Sequence, residues 1–312
     1  MSRVVFFLVP GVHLLDLAGP AQVFSTAADF GHPSTLVYVA ERPVVPTAQG
    51  LPVVAGTEWP RLGPEDLIVV PGWRVSVPAA GPRTGVGVGG PAIGAAALRA
   101  LRDHHAGGGT VAGVCVGAEA LGRAGLLDGR RCTTHHEVQD ELARRHPAAV
   151  VVRDVLYTAD DRVVTSAGIA SGIDLALHLV AGRHGPAVAA QVARDMVLHT
   201  RRNGHEPQAS AMFRYRSHLD DAVHRAQDVL DARFAEPLPL PVLAGAVGVS
   251  ERTLTRLFTH ATGGLTPLRY QQALRLERAE HLIGHGATVE AAARAVGFDD
   301  PRMLRRLRAR GS

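Results

Sequence analysis

The stretch Leu240-Pro-Val-Leu-Ala-Gly-Ala-Val-Gly-Val-Ser-Glu-Arg-Thr-Leu-Thr-Arg-Leu-Phe258 decides how the second half of the chain folds. Leu243, Ala244 and Val247 fall at i, i+1 and i+4, the spacing of a short helix with one buried side. Gly248 supplies a turn, and Ser250 is placed to cap the next helix, because its hydroxyl accepts a free N–H of the first turn. Leu254, Leu257 and Phe258 then form a buried stripe, which leaves Arg252, Thr255 and Arg256 on the solvent side. This is the plan of a helix-turn-helix. Arg pairs bidentately with guanine in a major groove, and Thr reaches a thymine methyl or a phosphate.

The same plan recurs downstream. Val289, Ala292, Ala293 and Val296 form a short helix, Gly297-Phe298 the turn, and Asp300 the cap of a helix that exposes Arg302, Arg305 and Arg306. Pro267–Ile283 reads as one long helix between the units, with Leu268, Ala279 and Leu282 among its apolar positions. A single unit of this kind has a plainer reading, a helical bundle with Arg for solubility. Two in tandem joined by a long helix are hard to obtain by chance. The six Arg from Arg294 to Arg310, against Asp299 and Asp300, fit a nucleic-acid face, although such a run is by itself usually a solvated helix.

Toward the N-terminus the texture changes. From His218 onward no strand-like run appears, whereas residues 201–217 are polar and contain Gly204 and Pro207, the composition of a linker. Residues 1–200 alternate compact apolar runs with helical stretches. The runs are Val4–Val9, Thr35–Ala40, Leu67–Val70, Thr110–Val114, Ala149–Val152 and Arg162–Thr165; Ile93–His105 and Ile173–Val180 have helical spacing. Such alternation predicts a mainly parallel sheet covered on both faces. Gly81–Gly90 is too rich in Gly and Pro for either element and reads as an exposed loop. The expected division is an α/β domain over 1–200, a linker over 201–217 and an all-α domain over 218–312.

The 312 residues suffice for two ordinary domains, and 46% hydrophobic with 20% charged residues is a globular composition. All 33 basic residues are Arg, and the net charge of +4 is too mild to argue for nucleic acid without the local pattern. No apolar run approaches the ~18–20 residues needed to cross a bilayer. Met1–Pro10 is apolar but has neither a basic flank nor a small-residue cleavage site, so a buried strand is expected rather than a signal peptide. A cytoplasmic protein without membrane contact follows. Cys115 and Cys132 are too few for a disulfide framework and show no zinc spacing, and neither metal nor cofactor is expected.

Gly113-Val-Cys-Val-Gly-Ala118 follows a strand-like run and opens the helical stretch Val116–Ala124. A Cys on a sharp strand-to-helix turn is exposed, its small neighbours permit the tight backbone, and a helix N-terminus stabilises a thiolate. The N–H of Val116 is placed to bind an oxyanion. A buried structural Cys is the commoner meaning of such a string.

The tail resembles the AraC/XylS family, in Ser250-Glu-Arg-Thr-Leu-Thr-Arg-Leu-Phe, Thr262-Gly-Gly-Leu-Thr-Pro-Leu-Arg-Tyr, Arg275-Leu-Glu-Arg-Ala and Val296-Gly-Phe. The resemblance covers roughly 225–308. It implies two recognition helices in successive major grooves of double-stranded DNA, with Arg252, Thr255 and Arg256 reading from the first and Arg302, Met303, Arg305 and Arg306 from the second. Arg308 stands near a position where the family places an aromatic residue, and the family's Pro-x-x-Tyr-Arg segment does not follow. That departure predicts a second unit that is less stable or contacts mainly phosphates.

Residues 3–200 resemble the ThiJ/PfpI superfamily (type 1 glutamine amidotransferase-like) and, within it, the GlxA-like regulators that carry an AraC tail. The marks are Asp16-Leu-Ala-Gly-Pro, Pro71-Gly72, Val114-Cys-Val-Gly-Ala, Ala124-Gly-Leu-Leu-Asp-Gly-Arg, Thr133-Thr-His-His, Thr165-Ser-Ala-Gly and Ser171-Gly-Ile-Asp-Leu-Ala-Leu-His-Leu-Val. The resemblance implies a flavodoxin-like α/β/α sandwich and a homodimer. Its pocket would hold Cys115 and Asp16, with Gly72, Val116, His135 and His136 around them. Isocyanide hydratases are the nearest enzymatic pattern. Val116 stands where protease-like members carry His, and no His-x-Glu follows. His135 and His136 would serve only if the fold brings them close; otherwise they mark a polar loop or a helix start. Three roles remain open for the pocket: a degenerate enzyme fold that dimerises a regulator, a sensor of a small-molecule effector or oxidant, and a working hydratase or hydrolase. A non-catalytic role is the expectation.

Overall fold

The computed structural model describes residues 2–75, 91–199, 202–208, 210–284 and 286–311, and separates into two compact units, Met1–Gln208 and Ala209–Ser312. The first unit is built on a six-stranded sheet. Its strands are β1 (Arg3–Leu8), β2 (Thr35–Ala40), β3 (Leu67–Val70), β4 (Thr110–Val114), β5 (Tyr157–Asp160) and β6 (Val163–Ser166), in the order β2-β1-β3-β4-β6-β5. All neighbours are parallel except β5 and β6. Central strands of a sheet covered on both faces bury every side chain, and β3 and β6 do so throughout. Helices α1 (Leu14–Asp29), α5 (Ser171–His184) and α6 (Pro186–Asp195) pack together, while α2 (Ala95–Ala106) and α3 (Gly117–Arg123) pack on one another and on β4. The short helix α4 (Gln139–Arg145) follows a 3-10 turn at His136–Val138. The result is the expected α/β/α sandwich.

Two strand expectations need correction. The Ala149–Val152 run does not enter the main sheet; Val150–Val151 pairs with Arg131–Cys132 in a separate two-stranded ribbon. The true edge strand, Tyr-Thr-Ala-Asp at β5, is too polar to read as a strand, because an antiparallel edge needs only one apolar side. The Gly81–Gly90 loop lies outside the described residues.

The linker expected over 201–217 is also corrected. Residues 202–208 belong to the first unit. The Arg202 guanidinium donates to the buried Asp174 carboxylate at 3.0 and 2.6 Å, and its backbone N–H donates at 3.1 Å. The N–H of Leu156 donates to the carbonyls of Gly204 and Glu206, at 2.8 and 3.0 Å. Gln208 donates through Nε2 to the carbonyls of Thr134 and Val155, at 2.9 and 3.1 Å. A polar strap held through its backbone has the same composition as a solvated linker. Only the partners tell them apart.

The second unit is helical: α7 (Ala211–Arg214), α8 (Asp221–Ala232), α9 (Leu240–Val247), α10 (Glu251–Ala261), α11 (Pro267–Gly284), α12 (Val289–Ala295) and α13 (Pro301–Gly311). Ser250 caps α10 by accepting the Thr253 N–H at 3.2 Å, and Asp300 accepts the Arg302 N–H at 2.8 Å ahead of α13. Gly248 ends α9 at φ 74°, in the left-handed region that favours glycine. Two separate apolar cores result. Leu243, Leu254, Phe258 and Tyr270 belong to the first, and Ala279, Ala292, Val296 and Leu304 to the second. Leu268 of α11 stays exposed. Among the described residues no helix is long and apolar enough to cross a membrane.

Candidate functional site

Cys115 leaves β4 with φ 57°, a conformation that L residues other than Asn and Asp rarely adopt. Its backbone is held on both sides. The N–H donates to the Ser166 carbonyl at 2.9 Å, and the carbonyl accepts the Thr134 hydroxyl at 2.7 Å. The thiol faces Asp16, which sits in the first turn of α1 rather than in the preceding loop and is wholly buried. Glycine makes this meeting possible. A Cβ on Gly72 would stand 2.6 Å from Asp16 Oδ2 and 2.7 Å from Cys115 Cβ. A Cβ on Gly168, itself at φ 76°, would overlap Cys115 Cβ.

Burial raises the Asp16 carboxyl to about 7, against the opposing pull of the Cys115 thiol and the Gly72 N–H. Both carboxylate oxygens nevertheless lack a hydrogen bond of ordinary geometry. Burial also pushes the Cys115 thiol well up, and the negative charge on Asp16 adds to the rise, while the Val116 N–H opposes it. The thiol therefore keeps its proton near neutrality, where Asp16 is partly ionised, and it is a poor target for an oxidant in this state. That direction speaks against the oxidant-sensing role, which needs a depressed thiol. Cys132 is buried, and burial takes its thiol to about 11, so it fills the core.

Residues that neighbour the elbow's contacts in the chain carry unpartnered buried polar atoms. Besides the two Asp16 oxygens, the indole N–H of the fully buried Trp73 and the hydroxyls of Thr133 and Ser166 have no partner among the described residues. Trp73 follows Gly72, Ser166 holds the Cys115 N–H, and Thr133 precedes Thr134. Buried polar groups are nearly always paired, so such a group of exceptions needs a reason.

Of the remaining expected residues, Gly72 and Val116 lie at the elbow and the two histidines are spent differently. His135 and His136 lie against each other at 4.2 Å between ring centroids, and His135 Nδ1 accepts the Glu137 N–H at 3.4 Å to start the 3-10 turn. Burial, then the neighbouring His136, holds His135 below the ordinary histidine range. The structure brings Thr134, rather than either ring, into hydrogen-bonded contact with Cys115. Trp73, Thr134, Ser166 and Gln208 were missed in the sequence. The small residues Gly72 and Gly168 were the available signal for a crowded point, but they did not name its neighbours.

In the second unit Arg252 and Arg256 are exposed on α10, and with Thr255 and His260 they line a shallow open groove. On α13 Arg302, Arg305 and Arg306 are exposed, but Arg305 is ion-paired with Glu290 and Arg308 with Glu280, the latter at 2.8 Å. Among the described residues the guanidinium groups of Arg252, Arg256, Arg302 and Arg306 have neither ion pair nor hydrogen bond. Met303 is half-buried and packs against the second core.

A model described as the DJ-1/PfpI family matches residues 2–182, and one described as a helix-turn-helix domain matches residues 243–310. An HTH-type transcriptional regulator, CdhR, of Pseudomonas aeruginosa is 32% identical over 67% of this chain and 62% of its own length. The chain thus spans less than two thirds of that relative. An isonitrile hydratase of Pseudomonas putida is 33% identical over 57% of this chain and 70% of its own. The crystal structure of an AraC family transcriptional regulator from Pseudomonas putida superposes with a TM-score of 0.53 at 25% identity, covering 63% of this chain and all of that one.

Proposed function

We propose that this chain, which belongs to the DJ-1/PfpI family and carries an AraC-type helix-turn-helix domain, is a DNA-binding transcription regulator whose front unit receives a small-molecule signal. The observation that carries this is the pair of capped helices α10 and α13 presenting unpaired Arg252, Arg256, Arg302 and Arg306 to solvent. Arg left without an internal partner on a helix that fits a major groove is suited to guanine edges and phosphates. The partner is double-stranded operator DNA in the cytoplasm. A homodimer joined through the front unit would repeat the site as half-sites. The buried Asp16 carboxylate beside Cys115, whose oxygens lack partners among the described residues, supports a small polar effector. Selection of genomic fragments by the full chain, followed by footprinting, tests this. Protection of two successive major-groove segments on one face is expected; a featureless footprint would remove the proposal.

A second function, a Cys-dependent hydratase or hydrolase, is favoured by the Asp16–Cys115 pair and by the isonitrile hydratase relative. It requires turnover of an isocyanide, amide or glyoxal that is lost in Cys115→Ala and Asp16→Asn alike. Absence of turnover on all three classes would exclude it.

A further inference from the structure

The two helix-turn-helix units have separate cores, so apolar packing orders each unit without by itself fixing their mutual placement. Among the described residues Phe234, in the loop between α8 and α9, packs on both cores. That loop is pinned to α11. Gln271 Nε2 donates to the carbonyls of Phe234 and Glu236, at 3.0 and 2.8 Å. Arg275 Nε and Nη2 donate to the same two carbonyls, at 2.6 and 2.9 Å. Arg275 alone of these two also reaches the second helix-turn-helix: Nη1 donates to the Gly297 carbonyl at 2.6 Å, and the guanidinium lies 5.4 Å from the Phe298 ring centroid. Gly297 stands at φ 82°, and a Cβ there would overlap the Ala235 carbonyl. The loop entering α9, the turn entering α13, and the long helix α11 therefore meet at one side chain.

We propose that Arg275 is a positioning residue for DNA recognition, setting the spacing and phase between α10 and α13 without touching a base. The inference rests on the regulator function above. Arg suits this place because its planar fork holds three carbonyls at once, whereas the ammonium of Lys, on a flexible stem, cannot keep that geometry. A joint with one geometry makes the protein intolerant of operators whose two contact segments are moved apart. One inserted base pair shifts them by ~3.4 Å and turns them by roughly 35°.

The test uses the full chain and the operator recovered by selection, with one base pair inserted or removed between the two protected segments. The wild type is expected to bind the altered operators at least ~10-fold more weakly, the scale of a lost base contact. Arg275→Lys is expected to bind native and altered spacings within about threefold of each other. Gln271→Met, which frees the loop only from the neighbour that does not reach Gly297, retains the wild-type penalty. Circular dichroism melts establish that each variant is folded. If Arg275→Lys melts out, Phe298→Leu removes the ring beneath the guanidinium and keeps the site apolar, with a smaller relaxation expected. A wild type indifferent to spacing, or an Arg275→Lys variant weakened by one factor on every operator, would overturn the inference. Failure to recover any operator would instead remove the regulator function on which it rests.

Discussion

In the front unit the chemistry-bearing groups are buried and crowded, whereas in the back unit they are exposed and free. Asp16 is wholly buried, Cys115 sits at φ 57°, and glycines at 72 and 168 leave no room for a Cβ. Arg252 and Arg256 stand in solvent on a capped helix with relaxed backbone. Buried crowding of this kind costs stability, whereas exposed charge on a relaxed helix does not. The back unit also contrasts with itself, since Arg305 is held by Glu290 while Arg302 and Arg306 have no ion pair among the described residues.

The largest expected effect attacks the crowding. Gly168→Ala places a methyl on Cys115 and forces a strained φ, and it should cost the front unit at least about 3 kcal/mol in urea melts. A loss below ~1 kcal/mol would mean the elbow has slack.

Next comes the buried carboxyl. Its folded value of about 7 lies above the ordinary value near 4, so the folded state holds the proton more tightly. Stability is therefore unaffected below pH ~4, falls as pH rises through about 7, and stays low above it. Asp16→Asn should stabilise the front unit by roughly 2–4 kcal/mol at pH 8 and by almost nothing at pH 4. A pH-independent difference would contradict the assignment.

Arg256→Ala should weaken operator binding by ~1–3 kcal/mol and relax base preference, with thermal stability little changed. Equal losses on operator and random DNA would make Arg256 a phosphate contact. The smallest effect concerns the paired arginine. Glu290→Gln frees Arg305 and should tighten DNA binding by no more than about 1 kcal/mol, because both side chains are well exposed and screened. Weaker binding in that variant would show that Glu290 orients Arg305 rather than restraining it.

Much of the back unit was legible because its signals are local: Ser250 and Asp300 cap within three residues, and Leu254 and Phe258 repeat at helical spacing. The sheet was legible for a similar reason, since strands buried on both faces are continuous apolar runs such as Leu67–Val70. Asp16 and Cys115 were named, but the shell of Trp73, Thr134, Ser166 and Gln208 was not. Those contacts join residues far apart in the chain; Gln208 meets Thr134 across 74 positions. No periodicity encodes such a contact. The strap over 202–208 was not legible for that reason.

The most direct test of the whole account is the ratio of affinities for selected operator and random DNA of equal length. It is measured by fluorescence anisotropy with the full chain at several salt concentrations. A preference of ~10³-fold or more at physiological salt is predicted. Equal affinities that fall together, steeply, with added salt would reduce the back unit to a phosphate binder and contradict the account.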